Sequence, residues 1–235
     1  MPDFSIRSYE KELLDRDDIP FNDIKRNMQE LEYINTNLGG HKITLDGFKK
    51  IYTGPEENIL SICEIGCGGG DNLKVIDKWC KKNKIPVRLI GIDINKDCID
   101  YAKENCIGIH NIEFIISDYK LARFNREKPA IIFSSLFCHH LNDEQFVEML
   151  QWSKLNSRIG FFINDLHRHF LAYYSIKLLT GLFSKSYLVK NDAPLSVRRG
   201  FKKKELKSLL EKAGIENYTI TWKWAFRWLV LVKNE

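Results

Sequence analysis

The chain has 235 residues, 44% of them apolar, and a formal net charge of +5. That is enough apolar material for one large domain, or a domain with a small cap, and too mild a charge to demand a nucleic acid or an anionic surface as partner. No run reaches the ~18 apolar residues of a membrane-spanning helix, and residues 1–18 are polar and acidic, so no signal peptide and a cytoplasmic setting are expected.

The first predicted helix covers 19–38, where Phe21, Ile24, Met28, Leu31, Ile34 and Leu38 recur near helical spacing. Gly39-Gly40 reads as its end. A second short helix reads from 45 to 52, and Thr53-Gly54-Pro55 breaks the chain. Residues 1–55 are therefore expected to form an N-terminal helical cap, and 56–235 the core.

The core opens with 59–73, ILSICEIGCGGGDNL. A buried strand ends at Cys63. Glu64 follows, then glycines at alternate positions, Gly66, Gly68 and Gly70, and a helix-forming run begins after Asp71. Glycine lets backbone approach a ligand closely, because it has no Cβ and tolerates positive φ. A dinucleotide fingerprint would need a glycine where Asp71 stands, and an acid at that helix start repels a pyrophosphate. The Walker pattern is absent, since no Gly-Lys-Ser/Thr follows.

A second strand, 87–92, ends in Asp93, ~20 residues past the turn, where a second strand returns beside the first. A carboxylate there can accept both ribose hydroxyls of an adenosine; the alternative is a cap for the helix read over 94–105. A third strand, 112–116, leads into Ser117-Asp118-Tyr119, where Asp118 can also be a plain turn residue. The fourth, 130–133, precedes Ser134-Ser135-Leu136-Phe137-Cys138-His139-His140-Leu141. The fifth, 159–163, leads into Asn164-Asp165-Leu166-His167-Arg168-His169. Strand–helix alternation predicts a doubly wound parallel sheet, which binds ligands at the carboxyl ends of its strands. The acids and histidines just named all fall there.

Residues 170–183 are apolar on most sides but contain Lys177. They read as a lid lining an apolar pocket, a core-packing helix, or a helix dipping into a membrane surface. A helix over 202–213 ends at Gly214. Strands at 215–221 and 225–232 form a hairpin, with Trp222, Trp224 and Trp228 as packing residues; with Lys223 and Arg227 they could instead stack on bases. The cysteines at 63, 67, 80, 98, 106 and 138 include no C-x-x-C pair, which argues against zinc and for free thiols in a reducing setting.

The run E-x-G-x-G-x-G from Glu64 to Gly70 resembles the first motif of class I S-adenosylmethionine-dependent methyltransferases, and the resemblance extends over about 59–232. It implies a Rossmann-like, doubly wound α/β fold with a seven-stranded sheet, mostly parallel with the last strand antiparallel. N-terminal helices would roof the donor site, and a helical lid would be inserted around 168–200. The implied donor is S-adenosyl-L-methionine, leaving S-adenosyl-L-homocysteine. Donor contacts are implied at Glu64, Gly66, Cys67, Gly68, Gly70, Asp93, Ile94, Asp118, Tyr119, Ser135 and Phe137. Among these, Asp118 would meet the adenine amino group, Tyr119 would pack on the ring, and Phe137 would lie beneath the methyl donor. Arg26 or Asn35 could reach the methionine carboxylate. The run 164–201 is similar to bacterial small-molecule methyltransferases linked to polyketide and quinone-like products of secondary metabolism. It implies O-methylation of a phenol or enol, with carbon methylation as the alternative.

A phenol must lose its proton, and histidine is the natural base near neutral pH. The candidates are His140, His139 and His167. Asp165 and His167 are two apart, so on a continuing strand they share a face and Asp165 could orient the imidazole; otherwise Asp165 caps the next helix. No metal is expected, since Asn164 and Asp165 alone are not a full oxygen set. Cys138 lacks the neighbouring proline of cytosine C5 methyltransferases. The rivals are an RNA methyltransferase, which would carry Asp/Asn-Pro-Pro-Tyr/Phe after the fourth strand, and a non-catalytic methyltransferase-like binding subunit. An NAD(P) enzyme is more distant. The expected partner is a small-molecule acceptor and not a nucleic acid, with peripheral membrane contact an open option and the oligomeric state undetermined.

Overall fold

The computed structural model describes residues 2–16, 18–52, 54, 59–124 and 127–234. One sheet organises them. Its strands are β1 (Leu60–Ile65), β2 (Val87–Asp93), β3 (Ile112–Ile116), β4 (Ile131–Ser135), β5 (Gly160–Leu166), β6 (Tyr218–Lys223) and β7 (Arg227–Lys233), in the order β3-β2-β1-β4-β5-β7-β6. β1 to β5 run parallel, and β7 is antiparallel to both β5 and β6. The order reverses between β1 and β4, so their carboxyl ends open a crevice, the place where such sheets bind ligands.

The central strands are apolar runs because both their faces are covered. On one face Ile65, Ile132, Phe161 and Ile163 pack with Phe146 and Leu150 of α5 (Asp143–Asn156) and Leu206 and Leu209 of α8 (Lys203–Lys212). On the other, Ile62, Ile131, Phe133 and Phe162 pack with Phe48 and Ile51 of α2 (Gly40–Ile51) and Leu73 and Ile76 of α3 (Asp71–Lys82). The remaining helices are α1 (Phe21–Asn37), α4 (Lys96–Asn105), α6 (Phe170–Phe183) and α7 (Tyr187–Arg199).

Several elements differ from the sequence expectation, each for a local reason. β1 continues past Cys63, which puts Glu64 inside the strand. α2 begins five residues before the expected 45, because Gly39 adopts φ +78 and turns the chain directly from α1 into α2. α2 then lies on the sheet itself: a Cβ at Gly47 would sit 2.6 Å from the Phe162 ring. Thr53, Pro55 and the expected boundary at 55/56 lie outside the described residues. The helical insertion expected around 168–200 holds two helices, α6 and α7, and in α7 Pro194 sits inside a helix that buries Leu188, Val189, Leu195 and Val197. Of the three tryptophans, only Trp228 packs inside, while Trp222 is 44% and Trp224 68% exposed.

The Gly47 contact sets a stability test. Gly47→Val should lower stability by about 1–3 kcal/mol through overpacking against Phe162, read as a drop in Tm relative to the wild type.

Candidate functional site

The glycine turn leaves β1 with Gly66, Gly68 and Gly70 at φ +66, +48 and +76. The N–H groups of Gly66 and Cys67 donate to the Ile92 carbonyl at 2.8 and 3.1 Å, tying the turn to β2. A Cβ at Gly66 would lie 2.3 Å from Phe137 Cδ2, so only glycine admits that ring. Gly68 N–H donates to Asp93 Oδ2 at 2.9 Å, and Asn95 N–H to Asp93 Oδ1 at 2.9 Å. The cap of α4 is Asn95, whose side chain accepts from the backbone of Asp97 and Cys98. Asp93 therefore faces the glycine turn and leaves capping to its neighbour. Burial raises its carboxyl, against the backbone hydrogen bonds that favour the anion. Ile94, next to it, is 73% exposed.

Glu64 is fully buried at the foot of the turn. Its Oε1 accepts from Asn72 Nδ2 at 2.8 Å, and Asn72 Oδ1 lies 3.1 Å from His41 Nδ1. Its Oε2 has no hydrogen-bond partner among the described residues. Burial pushes this carboxyl well above its usual range. A buried carboxyl oxygen without a partner, beside a glycine cradle, fits a ligand that brings a hydrogen-bond donor or a positive charge and no phosphate.

The other expected donor residues are placed less uniformly. Cys67 turns its side chain inward, where a Cβ at Gly91 would meet its Sγ at 2.8 Å, so it offers the turn only backbone. Asp118 caps its own short turn, accepting from Lys120 N–H at 2.9 Å. Tyr119 is buried against Trp152 and Phe137, at ring distances of 5.3 and 6.4 Å. Ser135 Oγ meets the side chain of Asn164 at 3.2 Å. Asp71 turns to Asn105 Nδ2 at 2.6 Å, and burial followed by the nearby Glu32 lifts it to about 6. On α1, Arg26 is exposed and Asn35 is engaged by Arg227 at 2.8 Å. Met28 reaches the turn instead, with its sulfur 3.5 Å from where a Gly68 Cβ would be.

The second half of the site follows β4. Leu136 takes φ +55, and Cys138–His140 forms a short 3-10 turn. His139 Nδ1–H donates to Asp165 Oδ1 at 2.8 Å, and its backbone N–H to Oδ2 at 3.2 Å. Burial alone would raise Asp165; His139, by charge and hydrogen bond, holds it below the usual carboxylate range. His140, its side chain 25% exposed, sets Nδ1 3.3 Å from Asp15 Oδ1 and Nε2 3.8 Å from Glu12 Oε2. Burial would lower His140, but the Asp15 hydrogen bond and the charges of Glu12 and Asp15 raise it. The Phe137 ring, already against Gly66, lies 6.5 Å from the His140 ring and links the two halves.

His167 stands apart. β5 ends at Leu166, and Asp165 turns to His139, so the expected Asp165–His167 pair does not form. The His167 ring lies 4.8 Å from Trp228, its Nδ1 is buried without a partner, and burial pushes it down to about 4. Cys138 is buried with Ser134 Oγ at 3.1 Å, and burial raises its thiol, which leaves it inert as a nucleophile.

Sequence reading missed the residues that enclose the histidines. Arg7 donates to the carbonyls of Cys138, His139 and Leu141 at 3.3, 3.2 and 2.7 Å. Arg199 donates to those of His139 and His140 at 3.0 and 2.8 Å. α7 pins the strap that carries Glu12: Asp192 accepts from the N–H groups of Leu13 and Leu14, and Ser196 Oγ donates to Glu12 at 2.6 Å. No local pattern around residue 7 or 12 points to position 139. Glu12, His139 and His140 also form the group, among the described residues, whose ligand atoms lie within 4.8 Å of one another and so could share a metal ion.

Residues 62–154 match the family described as "Methyltransferase domain". Phosphoethanolamine N-methyltransferase 1 of Arabidopsis thaliana is 24% identical over 127 residues, which is 52% of this chain. The chain spans about a quarter of that relative's length, the match covering 24% of it. Among solved structures, the plantazolicin methyltransferase BpumL in complex with SAH aligns at a TM-score of 0.60 and 19% identity, covering 93% of this chain and 86% of that one. Human N-acetylserotonin methyltransferase in complex with SAM aligns at 0.65 and 13% identity, covering 92% and 56%. These structural likenesses concern the fold.

The His139–Asp165 pair makes a testable contribution. Asp165 sits below its free value, so its contribution is present above pH ~3.8 and is lost as pH falls through its lower folded value. Asp165→Asn should cost about 3–5 kcal/mol at neutral pH, and the variant's stability should lack that acid-side loss in denaturation series run across pH.

Proposed function

We propose that the chain is a class I S-adenosylmethionine-dependent methyltransferase that methylates the oxygen of a small phenolic or enolic acceptor, with His140 taking the proton; the methyltransferase-domain match over residues 62–154 and the shared fold support this reading. The observation that carries this reading is the placement of His140. It stands one aromatic ring from the glycine turn, with Nδ1 3.3 Å from Asp15 Oδ1 and, among the described residues, Nε2 no nearer than 3.8 Å to the carboxylate of Glu12.

S-adenosyl-L-methionine supplies an already activated methyl group, so the chain's work is binding, orientation, proton removal and exclusion of water. Asp93, anchored through Gly68 and Asn95, keeps lone pairs for ribose hydroxyls. Exposed Ile94 offers a purine an apolar surface. Glu64 turns its unpaired Oε2 to a cationic group of the donor. On the acceptor side, a phenol of pKa ~10 needs a base. The Asp15 bond to Nδ1 selects the tautomer whose Nε2 accepts. Glu12 Oε2, 3.8 Å from that nitrogen, is beyond hydrogen-bond reach yet close enough to favour the imidazolium that forms. The residue 7–15 strap, pinned by α7, lies against the histidines, leaving His139 buried and the His140 side chain 25% exposed.

An RNA acceptor is the second reading, favoured by the exposed Trp222 and Trp224. Lys223 between them is engaged by Asp46 at 3.0 Å, which weakens a phosphate-binding role.

The deciding experiment offers methyl-labelled donor together with phenolic or quinol small molecules and, separately, total RNA. Label should enter the small-molecule pool; label in RNA alone overturns the reading. His140→Ala should lower turnover ~10²–10⁴-fold while donor affinity by calorimetry stays unchanged. Since His140 is raised above 6.5, the acid limb of the pH–rate profile should lie above that value, and Asp15→Asn should move it to lower pH. Activity should also survive EDTA. Loss on chelation, with recovery on adding a divalent ion, would make Glu12, His139 and His140 an ion site in place of a base.

A further inference from the structure

The side of α6 that looks away from the protein is apolar and uncovered. Phe170, Leu171, Tyr174, Leu178, Leu182 and Phe183 are 45–77% exposed. Positions 170, 174, 178 and 182 follow at intervals of four and form one stripe along the helix. The opposite side buries small residues, Ala172 and Thr180, and the Thr180 hydroxyl donates to its own helix at Ile176 O, 2.9 Å away. The helix thus buries its small side chains and presents its large ones, the reverse of a core-packing helix.

The apolar surface continues beyond α6. His169 stacks on Phe170 at 4.7 Å and on Phe226 at 5.1 Å, and Phe226 meets Trp222 at 6.1 Å. That brings in the β6–β7 hairpin with its exposed Trp222 and Trp224. The charge of the segment has one sign. Residues 170–190 contain no Asp or Glu and three lysines, Lys177, Lys185 and Lys190, all exposed. Glu30, an acid that approaches the end of the helix, is tied to the Ser184 hydroxyl and to the N–H groups of Lys185 and Ser186.

We propose that this face docks on a lipid bilayer carrying anionic headgroups. α6 is 14 residues long. At ~1.5 Å per residue it spans ~21 Å, short of the ~30 Å hydrocarbon core, so it lies in the interface plane and does not cross. Its leucines and phenylalanines enter the acyl boundary, Lys177, Lys185 and Lys190 meet headgroup phosphates, and Trp222 and Trp224 sit at headgroup level. Charge complementarity selects the bilayer over a second copy of the chain, because two such faces would bring the lysines of residues 170–190 together, while the neighbouring acids Glu30 and Asp46 are already engaged within their own chain. The proposal does not depend on methyl transfer.

The test is co-sedimentation of the full chain with vesicles of phosphatidylcholine alone or of phosphatidylcholine with about a quarter phosphatidylglycerol. Binding to the anionic vesicles should be about tenfold or more stronger, should weaken as salt rises, and should be lost in the double variant Leu178→Glu/Leu182→Glu. Both leucines are exposed, so that variant should keep the wild-type Tm, which checks its folding. Lys177→Glu/Lys185→Glu should lose the preference for anionic vesicles. The proposal is overturned if the wild type sediments with neither vesicle, if the leucine variant binds as well as the wild type, or if light scattering finds a dimer that the leucine variant abolishes while no vesicle binding occurs.

Discussion

The site depends on how the carbonyl groups of residues 138–141 are satisfied. The chain leaves β4 through Leu136 at positive φ and makes a tight turn in which the Cys138 carbonyl accepts from Leu141 N–H at 3.1 Å and the following carbonyls look to side chains for donors. Unpaired, they would cost more than the turn could return. Two buried arginines, Arg7 and Arg199, place five hydrogen bonds on the four carbonyls of residues 138–141. Arg7 also lies 4.1 Å over the Phe201 ring, so its charge is held by packing as well as by hydrogen bonds. With the carbonyls gripped from one side and Asp165 holding the N–H and ring of His139 from the other, His140 has little freedom in where it points.

The two halves of the site treat their carboxyl groups in opposite ways. Around the glycine turn burial prevails, and Glu64 and Asp93 are raised. Around the histidines specific partners prevail, and Asp165 and Asp15 are lowered. The same residue type therefore awaits a positive charge or a donor in one half and has already found its partner in the other. The first half is left open to a positively charged or hydrogen-donating ligand, while in the second the carboxylates are already committed to the histidines.

What could be read from the sequence was what is local. The strands, the glycine turn and Asp93 all announce themselves within a few residues, because strand burial and glycine backbone freedom are short-range constraints. Phe137, His139 and His140 were legible by their place after β4. What was not legible comes from distance or from ambiguity. Arg7 meets His139 across 132 positions, and nothing near residue 7 signals it. Asp165 and His167 share a strand parity, but the strand stops before parity can act. The insertion around 168–200 was expected to be helical, but nothing in its pattern shows that the buried Asp192 and Arg199 of α7 reach the residue 7–15 strap and the histidines. The outward Trp222 and Trp224 follow from their position at the sheet edge and its turn, which hydrophobicity alone does not reveal.

The pinning of the residue 7–15 strap by α7 has a consequence for the order of assembly. The strap is made early in synthesis, whereas Asp192, Ser196 and Arg199 come in the last quarter of the chain. A growing chain can complete the glycine turn and its neighbouring strands while Glu12 and Asp15 still have nothing to close upon. The glycine-turn half can form first, and the histidine half forms only when distant parts of the chain meet, the kind of long-range closure that is entropically slow. The glycine turn is thus complete before the histidines are enclosed.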